Sequence, residues 1–190
     1  MTYQVTAKKL AEYRNQIAAL REKLREAQAS VEPEPVEDYE LAAASGPVRL
    51  SGLFGDKDTL FVIHNMGQSC PYCTLWADGF NGVYDHLSSR AAFVVSSPDA
   101  PAKQRKFAES RNWKFPMVSH AGTTFAEDMG YRQDGGWMPG VSVFRRDGDT
   151  IVRVSDTAFS PGDDFCNVWH FFDLLPEGAA GWRPKYEYAS

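Results

Sequence analysis

Cysteine is scarce in this 190-residue chain, which has three, an odd number. A disulfide framework needs a denser, even set, so that class is excluded and a reducing compartment is expected. Also missing is any apolar run of about 18 residues, which leaves no candidate membrane span. The opening residues, Met1-Thr2-Tyr3-Gln4-Val5-Thr6-Ala7-Lys8-Lys9, lack the apolar stretch of a secretory leader. Excess positive charge is absent as well. A net charge of −5 gives no reason to expect nucleic acid or an anionic membrane as partner. There is no internal repeat, and the one biased tract is short and acidic. The expectation is a soluble cytoplasmic protein, whose 43% hydrophobic content suffices for one well-buried domain with an appendage.

What the chain does contain is Cys70-Pro71-Tyr72-Cys73, directly after the apolar run Leu60-Phe61-Val62-Ile63. A strand, a short loop and a C-x-x-C opening a helix is an arrangement that makes a thiol reactive. Cys70 falls where the helix N-cap would be. Pro71 falls at the first helical position, where its missing N–H costs nothing. The Cys70 thiolate would face unpaired backbone N–H groups and the positive end of the helix dipole. Such settings lower a cysteine from about 8.5 to roughly 3.5–7.5. Cys73, at i+3 on the same face, is placed to close a small disulfide ring. The motif reads as a redox pair, and no cofactor is needed for it.

Four segments are expected. Residues 1–30 form an amphipathic helix, 31–38 an acidic proline linker, 39–177 the main domain and 178–190 a tail draped over the surface. The first 30 residues carry six basic and three acidic side chains, and residues 31–46 carry five acidic and none basic. Leu10, Tyr13, Ile17, Leu20 and Leu24 draw one stripe along a helix capped by Thr6. The stripe packs on the chain's own body or on a second copy, giving a homodimer. Tyr39–Leu41 and Val48–Leu50 suggest a hairpin around Ser45-Gly46-Pro47. From residue 59 the pattern β-α-β-α-β-β-α implies an α/β domain with a mixed central sheet and helices on both faces. Its last hairpin turns at Asp147-Gly148-Asp149. Its last helix starts at Ser160-Pro161-Gly162-Asp163, in the manner of a capping box.

With the C-x-x-C opening the first helix of this domain, the chain resembles thioredoxin-fold proteins from about Tyr39 to Leu175. The Cys-Pro-Tyr-Cys content is similar to that of glutaredoxins. Lys106-Phe107-Ala108-Glu109 and Phe115-Pro116-Met117-Val118-Ser119 resemble the redoxin branch that includes peroxiredoxins. Over nearly its whole length, through Trp76-Ala77-Asp78 and Pro139-Gly140-Val141-Ser142-Val143-Phe144, the chain resembles a bacterial family described as dithiol–disulfide oxidoreductases. The resemblance implies that Pro139 is a cis proline facing the dithiol. It also implies that the backbone of Met138 pairs with an incoming substrate and that Pro71 and Tyr72 border it. In thioredoxin-like proteins a carboxylate six residues before the first cysteine takes a proton from the second thiol. Here that position is His64, as a proton shuttle or as a structural histidine.

The implied activity is thiol–disulfide exchange. Cys70 attacks a disulfide in a protein or small molecule, Cys73 resolves the mixed disulfide, and a cellular thiol reductant recharges the pair. Two alternatives come from other chemistry. A peroxiredoxin-like thiol peroxidase would place a threonine three residues before its attacking cysteine and an arginine near the third core strand. Gly67 precedes Cys70 by three, and Pro139 enters that strand. A zinc-binding or non-catalytic interaction protein would draw Cys166 and His170 to the dithiol as a Cys3His set. The expectation for Cys166 and His170 is instead packing, with no metal.

Overall fold

The computed structural model describes residues 2–188. Helix α1 spans Tyr3–Ala29 and begins at Thr2 rather than at the expected Thr6. The Thr6 hydroxyl bonds back to the Thr2 carbonyl at 3.3 Å, as threonine does inside a first turn. Helix α1 buries no residue, so the stripe does not pack into the chain's own core. Its polar link to the body is Arg21 on Asp164, at 2.5 Å.

The segment expected to be a linker adds strand β1, Glu34–Val36, to the edge of an eight-stranded sheet. Arg153 donates to Glu34 there, and Pro35 is tolerated because an edge strand has a neighbour on one side only. Strands β2 (Glu40–Ala43) and β3 (Gly46–Arg49) form the expected hairpin at the opposite edge. Between the edges run β4 (Thr59–His64), β5 (Ala92–Ser97), β6 (Met117–Ser119), β9 (Gly140–Asp147) and β10 (Thr150–Ala158). A separate two-residue ribbon pairs β7 (Arg132–Gln133) with β8 (Gly136–Trp137). The sheet order is β1-β10-β9-β4-β5-β6-β2-β3, with β4, β5 and β6 parallel and the rest antiparallel. The mixed α/β architecture is thioredoxin-like.

Alternation along β4 builds two cores. Leu60 and Val62 point to one face with Phe125, Phe144 and Tyr131; Phe61 and Ile63 point to the other with Trp76, Phe80 and Phe93. Helix α2 (Pro71–Arg90) and helix α5 (Asn167–Phe172) cover the second face. Helix α4 (Phe125–Asp128) and a 3-10 turn at Leu50–Phe54 cover the first. Helix α3 (Pro101–Arg111) ties to the sheet through buried Gln104, whose amide donates to the Ser97 hydroxyl and the Val118 carbonyl, both at 2.8 Å.

The last helix departs from expectation. Asp163 accepts from the Ser160 N–H, as in a capping box, yet Gly162 has φ +95° and bends the chain out of helical geometry. Residues 160–165 form a turn pinned by Asp163 on the Trp76 indole, and the helix starts only at Asn167.

Candidate active site

The parallel strand β4 delivers the chain to the loop Asn65–Ser69 and then to α2. Cys70 is the N-cap of that helix, with φ −98° and ψ 107°, and its Sγ accepts from the Cys73 N–H at 3.1 Å. Pro71 occupies the first turn without forfeiting a bond. Both cysteines are free thiols; Cys70 is half-buried and Cys73 buried. The Cys73 side chain and the Cys73 and Tyr72 backbone N–H groups bond to Cys70, and they push it from 9.0 down to about 7 against an opposing effect of burial. The lowering therefore comes from hydrogen bonds rather than from a cation. The same contact works in reverse on Cys73. Its bond to Cys70, its burial and the neighbouring negative charge push it well up, so it stays protonated. One thiol ionises near neutral pH and the other stays protonated.

Five contacts hold the preceding loop. Asn65 accepts the Gly67 N–H at 2.8 Å and reaches the Cys73 carbonyl at 3.5 Å. The Met66 N–H meets Cys73 Sγ at 3.5 Å. Asp99 accepts the Gln68 N–H at 2.7 Å, and the Tyr186 hydroxyl donates to the Gln68 carbonyl at 2.8 Å. Gly67 has φ +99°, and a Cβ there would lie 2.7 Å from the Asp99 carboxylate, so only glycine fits. Asn65, Asp99 and Tyr186 were not among the sequence candidates. Asp99 follows the C-terminal end of a parallel strand, where open α/β sheets place their sites, and that rule could have found it. Tyr186 has no such signal. It arrives on the tail, fixed by Arg111 on its carbonyl at 2.8 Å and by Phe107 against its ring. Burial raises the Tyr186 hydroxyl, and negative charge at the Cys70–Cys73 pair raises it further.

The structure brings Cys70, Pro71, Tyr72 and Cys73 together at the start of α2; the Tyr72 ring stacks on Trp169 at 6.2 Å. It sends His64 elsewhere. His64 leaves β4 toward the opposite face from α2, stacked 3.8 Å from Tyr131 and bonded through Nε2 to Ser142 at 3.0 Å. Burial, with His120 and Arg153 nearby, holds it neutral by lowering its pKa far below the usual range.

Pro139 corrects the expectation of a cis bond: among the described residues no peptide is cis. Nor is the Met138 backbone free, since its N–H donates to the Tyr131 carbonyl at 2.9 Å. The Pro139 carbonyl likewise accepts from Phe159 at 2.9 Å. The extension of the β7–β8 ribbon takes the Met138 N–H, and Phe159, just after β10, takes the Pro139 carbonyl. The Cys3His set does not assemble either. Cys166 is buried with Trp169 in the core, whereas the exposed His170 meets Asp164 at 3.3 Å. No group of three or more His, Cys, Asp or Glu converges among the described residues.

A helix-capping dithiol on this sheet can be set beside known proteins. The family model for bacterial proteins of unknown function, DUF899, matches residues 2–188. The chain belongs to that family. The structure of peroxidoxin BcpB from Mycobacterium tuberculosis is similar, with 32% identity and a TM-score of 0.55 over 67% of this chain and 86% of that one. Reduced Prx3 from Vibrio vulnificus shares the fold at 14% identity and a TM-score of 0.57, covering 70% of this chain and 89% of the other. A Mycobacterium tuberculosis protein named "Putative peroxiredoxin" is 34% identical over 100 residues, which is 52% of this chain. The match spans 64% of that relative's length. The fold is the thioredoxin-like fold of the redoxins. No helix among the described residues is long and apolar enough to cross a membrane.

Proposed function

We propose that this chain is a thiol-based oxidoreductase that reduces a small hydroperoxide, with Cys70 as the attacking thiol and Cys73 as the resolving one. The observation that carries the reading is the split pair: Cys70 lowered to about 7 at the helix N-terminus, and Cys73 buried, protonated and bonded to it. Kinship with peroxiredoxins supports an oxygen-based oxidant. So does the Met138 N–H, which is bonded to the Tyr131 carbonyl and so withheld from an extended disulfide peptide.

The Cys70 thiolate attacks the distal peroxide oxygen; an S–O bond forms as the O–O bond breaks, and the leaving alkoxide takes a proton and departs as alcohol. Cys70 is then a sulfenic acid. Cys73 attacks its sulfur, an S–S bond forms and water leaves with the Cys73 proton. A thiol reductant restores the dithiol. The threonine and arginine of the peroxiredoxin pattern have no counterpart at Gly67 and Pro139, so the backbone N–H groups opening α2 carry the burden of polarising the peroxide.

Disulfide exchange is the second reading, favoured by the Cys-Pro-Tyr-Cys spacing itself. Parallel assays of hydroperoxide consumption and of disulfide reduction decide between them. Hydroperoxide turnover lost in Cys70→Ser, with a sulfenic acid trapped in Cys73→Ser, is expected. Turnover of disulfides alone, with Cys73→Ser accumulating mixed disulfides, would replace the peroxidase reading by exchange.

A further inference from the structure

Two largely exposed apolar surfaces of this chain have opposite charge. Among the described residues of one copy they meet only at an edge, where Arg21 pairs with Asp164 and Arg14, Ile17 and His170 line one hollow. On α1 the stripe Leu10, Tyr13, Ile17, Leu20 and Leu24 runs about 21 Å at 1.5 Å per residue, and its members are between 44% and 63% exposed. The charged residues flanking it are Lys9 and Lys23 on one side and Arg14 and Arg21 on the other, all exposed. The acids of the helix, Glu12, Glu22 and Glu26, lie further round. Pairing α1 with another α1 would set these four cations against four more, in either orientation. A self-paired coil is therefore disfavoured.

The complementary surface is at the far end of the chain. Phe171, Leu174 and Leu175 are 64%, 72% and 53% exposed around the end of α5. Asp164, Asp173 and Glu177 stand exposed beside them. Next to this patch is a groove of about 460 Å³ lined chiefly by Phe172, Leu175, Pro176, Ala179, Ala180 and Trp182. The basic side chains nearby are His170, which meets Asp164, and Arg183 beyond Trp182. Large apolar side chains clustered in the open beside acids are uncommon on a surface that meets only water.

We infer that α1 of one copy docks by its cationic apolar stripe on the acidic apolar patch after α5 of a second copy, and reciprocally. The two contacts are related by a two-fold axis and close the assembly as a dimer. The occupant is a second copy because this chain itself carries the complement in both shape and charge. The Arg21–Asp164 pair already shows the charge match, within one copy. The inference stands apart from the dithiol chemistry.

Analytical ultracentrifugation of the full chain at tens of micromolar tests it. The expected species is a dimer that weakens with added salt. Ile17→Glu with Leu20→Glu, and separately Phe171→Asp with Leu174→Asp, should each weaken the dimer by about 100-fold, since each removes the centre of one face. These positions lie outside the core, so circular dichroism should be unchanged. Mixing the two double variants should restore a heterodimer, which retains one intact contact. A monomer at all concentrations overturns the inference. So does a dimer indifferent to Phe171 and Leu174, which would be α1 paired with α1, and so does a monomer that instead sediments with phosphatidylserine vesicles.

Discussion

Replacing Cys73 by alanine should raise the apparent pKa of Cys70, and the size of the change can be worked from the site. Cys70 is lowered from 9.0 to about 7, and the largest cause is the hydrogen bond from the Cys73 side chain. At pH 7 a thiol of pKa 7 is about half thiolate and one of pKa 9 about 1%, a roughly 50-fold difference. Lower basicity costs nucleophilicity with a slope of about 0.4–0.5, or roughly 6–10-fold over two units, so the net gain is about 5–8-fold. In the intact protein the alkylation rate of Cys70 should rise as pH climbs through about 7, because deprotonation forms the reactive species. Cys73→Ala deletes the main donor and leaves burial opposed only by backbone bonds, so the midpoint should move up toward 9. Cys73→Ser retains a hydroxyl donor and should keep the midpoint low. Iodoacetamide rates against pH, with the labelled peptide identified by mass spectrometry, read all three proteins. Equal midpoints in the alanine and serine variants would refute the assignment of the shift to the side-chain bond. Faster labelling of Cys73 than of Cys70 would refute the assignment of roles.

Acid should destabilise the fold through the two buried histidines. His64 is lowered far below the usual range and His120 to about 4, each by burial first, so the unfolded chain takes up protons below about 6.5 that the folded one refuses. Stability therefore falls as pH drops from about 6.5 to 4, by roughly 1.4 kcal/mol per unit per histidine, and urea midpoints of His120→Gln should show about half that slope. Gly140→Ala should cost about 2–3 kcal/mol in chemical denaturation, because a Cβ there would meet the Tyr131 ring at 2.2 Å and the Thr157 carbonyl at 2.6 Å. Tyr186→Phe removes the bond to Gln68 at a cost of about 1 kcal/mol, and faster amide exchange confined to residues 66–69 is the expected readout.

Local chemistry made much of this protein legible before any fold was in view. A proline after Cys70 reads as the first helical position wherever the helix lies, because the missing N–H is an intrahelical property; Cys70 is indeed the N-cap. The apolar runs of β4 and β5 and the turn at Asp147-Gly148-Asp149 depend on neighbours within a few residues, and they fold as read. The stripe on α1 is equally a matter of spacing, though spacing says nothing of what covers it. Gly162 shows where local rules compete: the capping-box residues are present, yet one positive φ converts the helix start into a turn.

The sequence by itself determined the Cys70–Cys73 pair at the opening of its helix and the α/β alternation, since each rests on interactions spanning a few residues. Only the tertiary structure decided which groups surround that pair. His64 stands six residues before Cys70, but strand alternation turns it to the other face of the sheet, where Tyr131 and Ser142 hold it. The Met138 backbone looks free along the chain, but the ribbon from Tyr131 takes its N–H. Tyr186, 116 residues beyond Cys70, reaches the loop only because Arg111 and Phe107 guide the tail back across α3. Register, facing and chain return are properties of long-range pairing, and no short window of residues encodes them.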